Sequence, residues 1–278
     1  MNVMAENKPE QGAIQLDNQC IQLRILMPSG RFHVTDKVSG AVWSMKAGNS
    51  SGMLTVLSEG GETLYKMGGH PKTGISFSKN FYMVRSTATE DYHDVSLSGT
   101  LGEDKNTLVT IRYLLSTTFP VLNCFCYVSG MQAEQVQKIQ FPLGLRSIED
   151  ENHRVLLPQE IKPISSEIDS EVDPLWEPPT DREHRIVGSP FFILTQRLTP
   201  EKSGGCIGFL QHPLSMLEIH QGKQERFVHP LSSRLDVTGK SEKKPYSFRY
   251  QFVPSDDLEA LSWLYKEYLM EPIVPIEL

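Results

Sequence analysis

Apolar residues recur at every second position in stretch after stretch of this chain, and that period limits the fold more than any other feature. Ile21, Leu23 and Ile25 alternate with polar partners, and so do Phe32 and Val34. The same period links Val109, Ile111, Tyr113 and Leu115, then Leu122, Cys124, Cys126 and Val128, then Phe248, Tyr250 and Phe252. A strand sends successive side chains to opposite faces, so these are half-buried strands, with Asn123, Phe125 and Tyr127 expected on the face opposite Cys124. Turn-forming residues separate them. Asp36-Lys37-Val38-Ser39-Gly40 lies between Arg31–Thr35 and Ala41–Met45, and Gly102-Glu103-Asp104-Lys105-Asn106 lies between Val95–Thr100 and Thr107–Leu115, which predicts two antiparallel hairpins. The 20 glycines and 18 prolines are spread along all 278 residues and mark no single linker. The expectation is one large all-β antiparallel two-sheet sandwich over residues 16–255, after a flexible segment 1–15 and before a C-terminal helix and tail 256–278.

Two segments break the rhythm. From Pro158 to Val187 five prolines stand among many acids without periodicity, which predicts a long irregular excursion of a size that is usually functional or mobile. From Asp256 to Leu269 the pattern turns helical: Asp256 with Glu259 resembles a capping box, and Leu258, Leu261, Tyr265, Tyr268 and Leu269 recur at helical spacing. Trp263 then points to a second surface. With Ile273, Val274, Ile276 and Leu278 it makes an apolar strip that needs cover from a partner or by self-association.

Charge and cysteine content narrow the partners. Lysine and arginine number 27 against 34 acidic residues, a formal charge of −7, and no stretch gathers the basic density that a phosphate backbone requires. Nucleic acid is not an expected partner. No run of about 18 apolar residues and no secretory apolar core is present, so no membrane association is expected; the chain reads as soluble, cytoplasmic as written or extracellular if trimmed of a signal. Four cysteines make no disulfide framework in a chain of this length. Cys124 and Cys126 share a strand face with Cα atoms about 6.5 Å apart, poor geometry for a bond, and read as reduced core residues. No Cys/His spacing suggests zinc, and no G-x-S-x-G elbow surrounds a serine. The pairs Gly60-Gly61, Gly68-Gly69 and Gly204-Gly205 lack phosphate-loop spacing and read as turns. No metal or cofactor is expected.

Three stretches together carry a resemblance: Asp36-Lys37-Val38-Ser39-Gly40-Ala41-Val42-Trp43, Val109-Thr110-Ile111-Arg112-Tyr113-Leu114-Leu115 and Ile139-Gln140-Phe141-Pro142-Leu143-Gly144-Leu145. Their order resembles the galactose-mutarotase-like β-supersandwich domain that precedes the catalytic barrel in several glycoside hydrolases. The closing stretch Phe248-Arg249-Tyr250-Gln251-Phe252-Val253-Pro254-Ser255-Asp256-Asp257, followed by Leu261, Trp263, Tyr265 and Tyr268, is similar to the strand and helix by which such domains hand over to the barrel. The resemblance covers about Leu16 to Leu269. It implies an antiparallel two-sheet supersandwich with one C-terminal helix, a carbohydrate-associated role, and a catalytic barrel as partner, with the two catalytic carboxylates of such hydrolases lying after Leu278. On that footing the chain is a non-catalytic binding or docking module. The alternative is a small aldose-epimerase-like enzyme using a histidine and a carboxylate, although the family's Asn-His before an aromatic is replaced here by Asn152-His153-Arg154-Val155. A third reading is a scaffold that binds no sugar.

The residues themselves offer three constellations. Trp176, Glu177, Asp181, Arg182 and His184 combine an aromatic plate with acceptors and forked donors, the kit for stacking a sugar ring and pairing its hydroxyls. The commoner outcome for such a segment is a solvated charged loop pinned by a buried Trp176. His184, Glu218 and His220 are the weak candidates for catalysis: Glu218 and His220 are two apart in a strand, and a carboxylate beside a histidine suits proton transfer at an anomeric hydroxyl. Scattered histidines without a tight frame, His212 and His229 among them, are more often structural than metal ligands. Asp91, His93 and Asp94 form a third polar cluster, read as a strand-end turn.

Overall fold

The computed structural model describes residues 12–45, 50–68, 74–77, 85–130, 136–142, 145–147, 153–158, 175–176, 184–187, 191–210, 215–221, 226–233, 246–257 and Leu261. Among them, strands assemble into two sheets. The first has twelve: β1 (Ala13–Asp17), β2 (Ile21–Leu26), β3 (Arg31–Asp36), β4 (Val42–Met45), β5 (Gly52–Ser58), β6 (Gly61–Met67), β7 (Gly74–Ile75), β12 (Val136–Gln140), β13 (Leu145–Ser147), β16 (His184–Val187), β19 (Ser215–Gln221) and β20 (Arg226–Ser233). The second has nine: β8 (Arg85–Ala88), β9 (Tyr92–Leu101), β10 (Asp104–Ser116), β11 (Val121–Gly130), β14 (His153–Pro158), β15 (Leu175–Trp176), β17 (Phe191–Thr199), β18 (Lys202–Leu210) and β21 (Tyr246–Val253). Every described pairing is antiparallel except the short β6–β7 contact. The all-β two-sheet expectation holds, with β1 starting at Ala13, inside the segment expected to be flexible.

Both predicted hairpins form. Thr35 pairs with Val42 across the Asp36–Gly40 turn, where Asp36 accepts from the Val38 amide at 2.9 Å and Gly40 takes a φ of 81°. The second turn tightens to Gly102-Glu103, with a register shift between Asp104 and Leu108. The inward residues of the two sheets make one core. Phe32 of β3 lies 5.8 Å from the Tyr113 ring of β10 and 5.9 Å from the Tyr250 ring of β21, edge-on and tilted. At one end, Asn18 ties the sheets together: its side-chain amide donates to the carbonyls of Ser116 (2.7 Å) and Phe119 (2.9 Å), while its oxygen accepts from the amides of Cys20 and Ile21.

The second sheet departs from a simple half-buried pattern. Leu122, Cys124 and Cys126 are fully buried in the shared core, as alternation predicts, yet Asn123 and Phe125 on the opposite face are also only 6% and 7% exposed. Ile193, Ile207 and Phe209 are buried there too, outside the shared core. This sheet has two covered faces. Gly204 and Gly205 follow from that, and correct the expectation of a turn: they lie inside β18. A Cβ on Gly204 would stand 2.5 Å from the Ala41 Cβ of the opposing sheet, and one on Gly205 would stand 2.7 Å from the Ser255 carbonyl and 3.0 Å from Leu261. Leu261, buried, donates its amide to the Asp257 carbonyl at 3.1 Å, a single helical bond, and lies against the outer face beside Gly205; the rest of the helix expected over 256–269 lies outside the described residues. Trp263 and the apolar tail lie outside the described residues, and no helix among those described is long and apolar enough to cross a membrane.

All four cysteines are free, with Cys124, Cys126 and Cys206 buried and Cys20 half-buried. Burial pushes the three core thiols well above their ordinary range, so they stay protonated and unreactive. Native protein is expected to release one equivalent to a thiol reagent at pH 8, from Cys20, and the other three only after unfolding; prompt reaction of two or more would contradict this packing.

Candidate functional site

The residues proposed to grip a sugar fall on two sheets. Leu175–Trp176 forms the edge of the second sheet, with Trp176 opposite Leu157. His184 opens β16 at the far side of the first sheet, opposite Ile219. The excursion thus contains two short strands, where an irregular run was expected. Glu177, Asp181 and Arg182 lie outside the described residues.

The register also sorts the catalytic candidates. Glu218 of β19 stands opposite Arg185 of β16 and His229 of β20, while His220 stands opposite Phe227. Glu218 and His220 are two apart, so their rows belong to one face; the row of His184 and Ile219 lies between them and belongs to the other. The register partners of Glu218 are Arg185 and His229, which sequence spacing alone could not select. Among the described residues no three histidine, cysteine, aspartate or glutamate side chains gather to hold a metal ion.

A different group of side chains has built-in electrostatics. Asp94 lies within β9, not in a turn, and two strand rows bring it beside Arg112 of β10. The pair is bidentate: Arg112 Nε donates to Asp94 Oδ1 at 3.0 Å and Nη2 to Oδ2 at 2.8 Å. Their side chains are 20% and 14% exposed. Hydrogen bonding to Asp94 raises the Arg112 pKa, against the opposing effect of burial. Cross-strand from Arg112 lie Ser96 and Phe125, and the next row pairs Ser98 and Tyr127 with Thr110, whose hydroxyl is 3.0 Å from that of Ser98. Burial first, then the Asp94 charge, push the half-buried Tyr127 phenol up; the Arg112 charge pulls it down. The group offers donors, acceptors and an aromatic ring on the outer face of the second sheet.

A scan against models of known families finds no match, and a search of curated proteins finds none. Solved structures do match. Ligand-free α-N-acetylgalactosaminidase NagBb from Bifidobacterium bifidum aligns with 92% of this chain and 38% of its own, at a TM-score of 0.64 and 14% identity. Its GalNAc complex gives 0.65 at 13% identity, over 92% and 39%. A GalM/aldose epimerase homologue from C. elegans aligns more loosely, at 0.45 and 9% identity over 88% and 99%. The chain spans about two fifths of the length of NagBb, and at such identity what the two share is the fold, a large antiparallel β-sandwich.

Proposed function

We propose that the chain is a non-catalytic, carbohydrate-associated sandwich domain of a glycoside hydrolase, a binding or docking module for a catalytic barrel. The observation that carries this reading is the likeness of nearly the whole chain, 92%, to 38% of a glycosidase, a match that leaves most of that enzyme to other structure. In this reading Trp176, Glu177, Asp181, Arg182 and His184 are sugar contacts, and the segment from Asp256 onward is the docking surface toward a barrel.

Two assays of the purified chain test it. Polarimetry of fresh α-D-galactose and release of nitrophenol from nitrophenyl α-N-acetylgalactosaminide are both expected to run at the buffer rate. Mutarotation accelerated by the chain, and lost in Glu218→Gln, would replace this reading with that of an aldose epimerase working through a histidine and a carboxylate. Titration with N-acetylgalactosamine is expected to saturate in the millimolar range by tryptophan fluorescence, and Trp176→Ala is expected to remove that signal.

A further inference from the structure

We propose that β1, the end strand of the first sheet, is an interface at which a second copy of this chain pairs, strand against strand, about a twofold axis through Gln15.

The edge strands among the described residues differ in how open they are. A sheet edge presents unpaired amides and carbonyls, and chains blunt it with very short strands, proline, basic side chains or a bulge. β7 and β15 have two residues each, and β8 and β16 have four, with Arg85 in the one and Arg185 in the other. β1 has none of these devices. Ala13-Ile14-Gln15-Leu16-Asp17 is the longest of these edges, contains no proline or basic residue, and pairs with β2 residue for residue without a bulge. Its one charge, the Asp17 carboxylate, is matched within the chain by Lys37. The strand is open along its whole length: Ala13, Gln15 and Asp17 are exposed, and Ile14 and Leu16 stay half-buried while packing on the core.

The order of residues in the strand selects its partner. An antiparallel copy centred on Gln15 sets Ile14 opposite Leu16 of the second copy, Leu16 opposite its Ile14, and Ala13 opposite its Asp17. No like charges meet. The two apolar pairs lie on the core face of the sheet, so they extend the layer between the sheets across the joint and lose the exposure they keep in one copy. On the outer face the two Gln15 side chains meet at the axis, where each amide can donate to the other's oxygen. A strand pair of five residues buries less than the roughly 1,200 Å² of a standard interface, which makes the association weak, with a dissociation constant of about 0.1 mM.

Sedimentation equilibrium of the full chain from about 1 µM to about 1 mM tests this, with a monomer expected at the low end and mostly dimer at the high end. Gln15→Lys and Gln15→Glu each set like charges at the axis, on an exposed outer position that leaves the fold intact, and each is expected to weaken self-association about fivefold. An equimolar mixture of the two is expected to recover it, because Lys then faces Glu. Exchange of the amides of β1 is expected to slow in step with dimer formation. A chain that stays monomeric at the highest concentration overturns the proposal. A dimer that ignores both substitutions lies elsewhere and overturns the assignment to β1, and a mixture no more associated than either variant alone overturns the twofold register about Gln15.

Discussion

Replacing Trp43 with alanine is expected to cost about 3–5 kcal/mol, the largest loss from any single truncation in the sandwich. Trp43 is fully buried in β4, cross-strand from Val34 and Ser147, and its ring lies 3.8 Å from where a Gly204 Cβ would stand in the opposing sheet. One side chain thus fills the gap between two sheets. The neighbouring backbones are held by ladder hydrogen bonds and cannot collapse far into the space left behind, so most of the cavity persists. Among the described residues the buried indole nitrogen has no hydrogen-bond partner, and this sharpens the expectation: Trp43→Phe is expected to cost less than half as much. Urea denaturation of the two variants measures both. A Trp43→Ala loss below about 1 kcal/mol, or a Trp43→Phe loss equal to it, would mean that the ring is not the inter-sheet wedge described.

The contrast between Trp43 and the glycine pair shows where local pattern stops being informative. Alternation at Ile21, Leu23 and Ile25, or at Val109, Ile111 and Tyr113, is a property of a single strand, and burial of those residues follows from it. The Asp36–Gly40 turn is equally local, since Asp36 closes it with its own side chain and Gly40 supplies the left-handed backbone. Gly204-Gly205 looks the same on paper as a turn. Its meaning comes from crowding by Ala41 on one side and Ser255 with Leu261 on the other, residues more than forty positions away. No window of sequence contains that information. Phe125 fails as a half-exposed residue for the same reason: whether the second face of a sheet is covered depends on what the rest of the chain lays over it.

Site residues depend on register in the same way. Arg112 and Asp94 are 18 positions apart, and they meet because β9 and β10 pair with Leu114 opposite Asp94 and Arg112 opposite Ser96. A register one residue different would send one of them to the core. Asp94 was legible as a polar residue near a strand end, and Arg112 as a residue of a strand, but the pairing was not. Glu218 and His220 were legible as neighbours on one strand, whereas the intrusion of the His184 row between theirs, and the placement of Arg185 and His229 beside Glu218, required the β16–β19–β20 ladder.

The two glycines of β18 should respond differently to the same substitution, because the neighbours they crowd have different freedom. At Gly204 a methyl group meets the Ala41 Cβ at 2.5 Å, with the Ser39 hydroxyl at 3.2 Å. Ala41 follows the tight β3–β4 turn and cannot rotate aside, so Gly204→Ala must push one sheet from the other. Overpacking of this kind typically costs about 1–3 kcal/mol, occasionally more, and the effect should appear as global destabilisation. At Gly205 the added methyl meets the Ser255 carbonyl at 2.7 Å and Leu261 at 3.0 Å. The obstruction is backbone again, but backbone beyond the last ladder bond of β21. That segment is held by the Asp256 amide donating to Ser203 Oγ at 3.0 Å and by Leu261 on the sheet. Gly205→Ala is therefore expected to lift the segment from Ser255 to Leu261 off the second sheet while leaving the core between the sheets in place. Amide hydrogen exchange separates the two outcomes: Gly204→Ala should speed exchange throughout, and Gly205→Ala should speed it at Asp256 and Leu261 while Cys124 and Tyr250 keep their protection. If Gly205→Ala instead leaves Leu261 protected, the seat of Leu261 on this face does not depend on the bare backbone of β18.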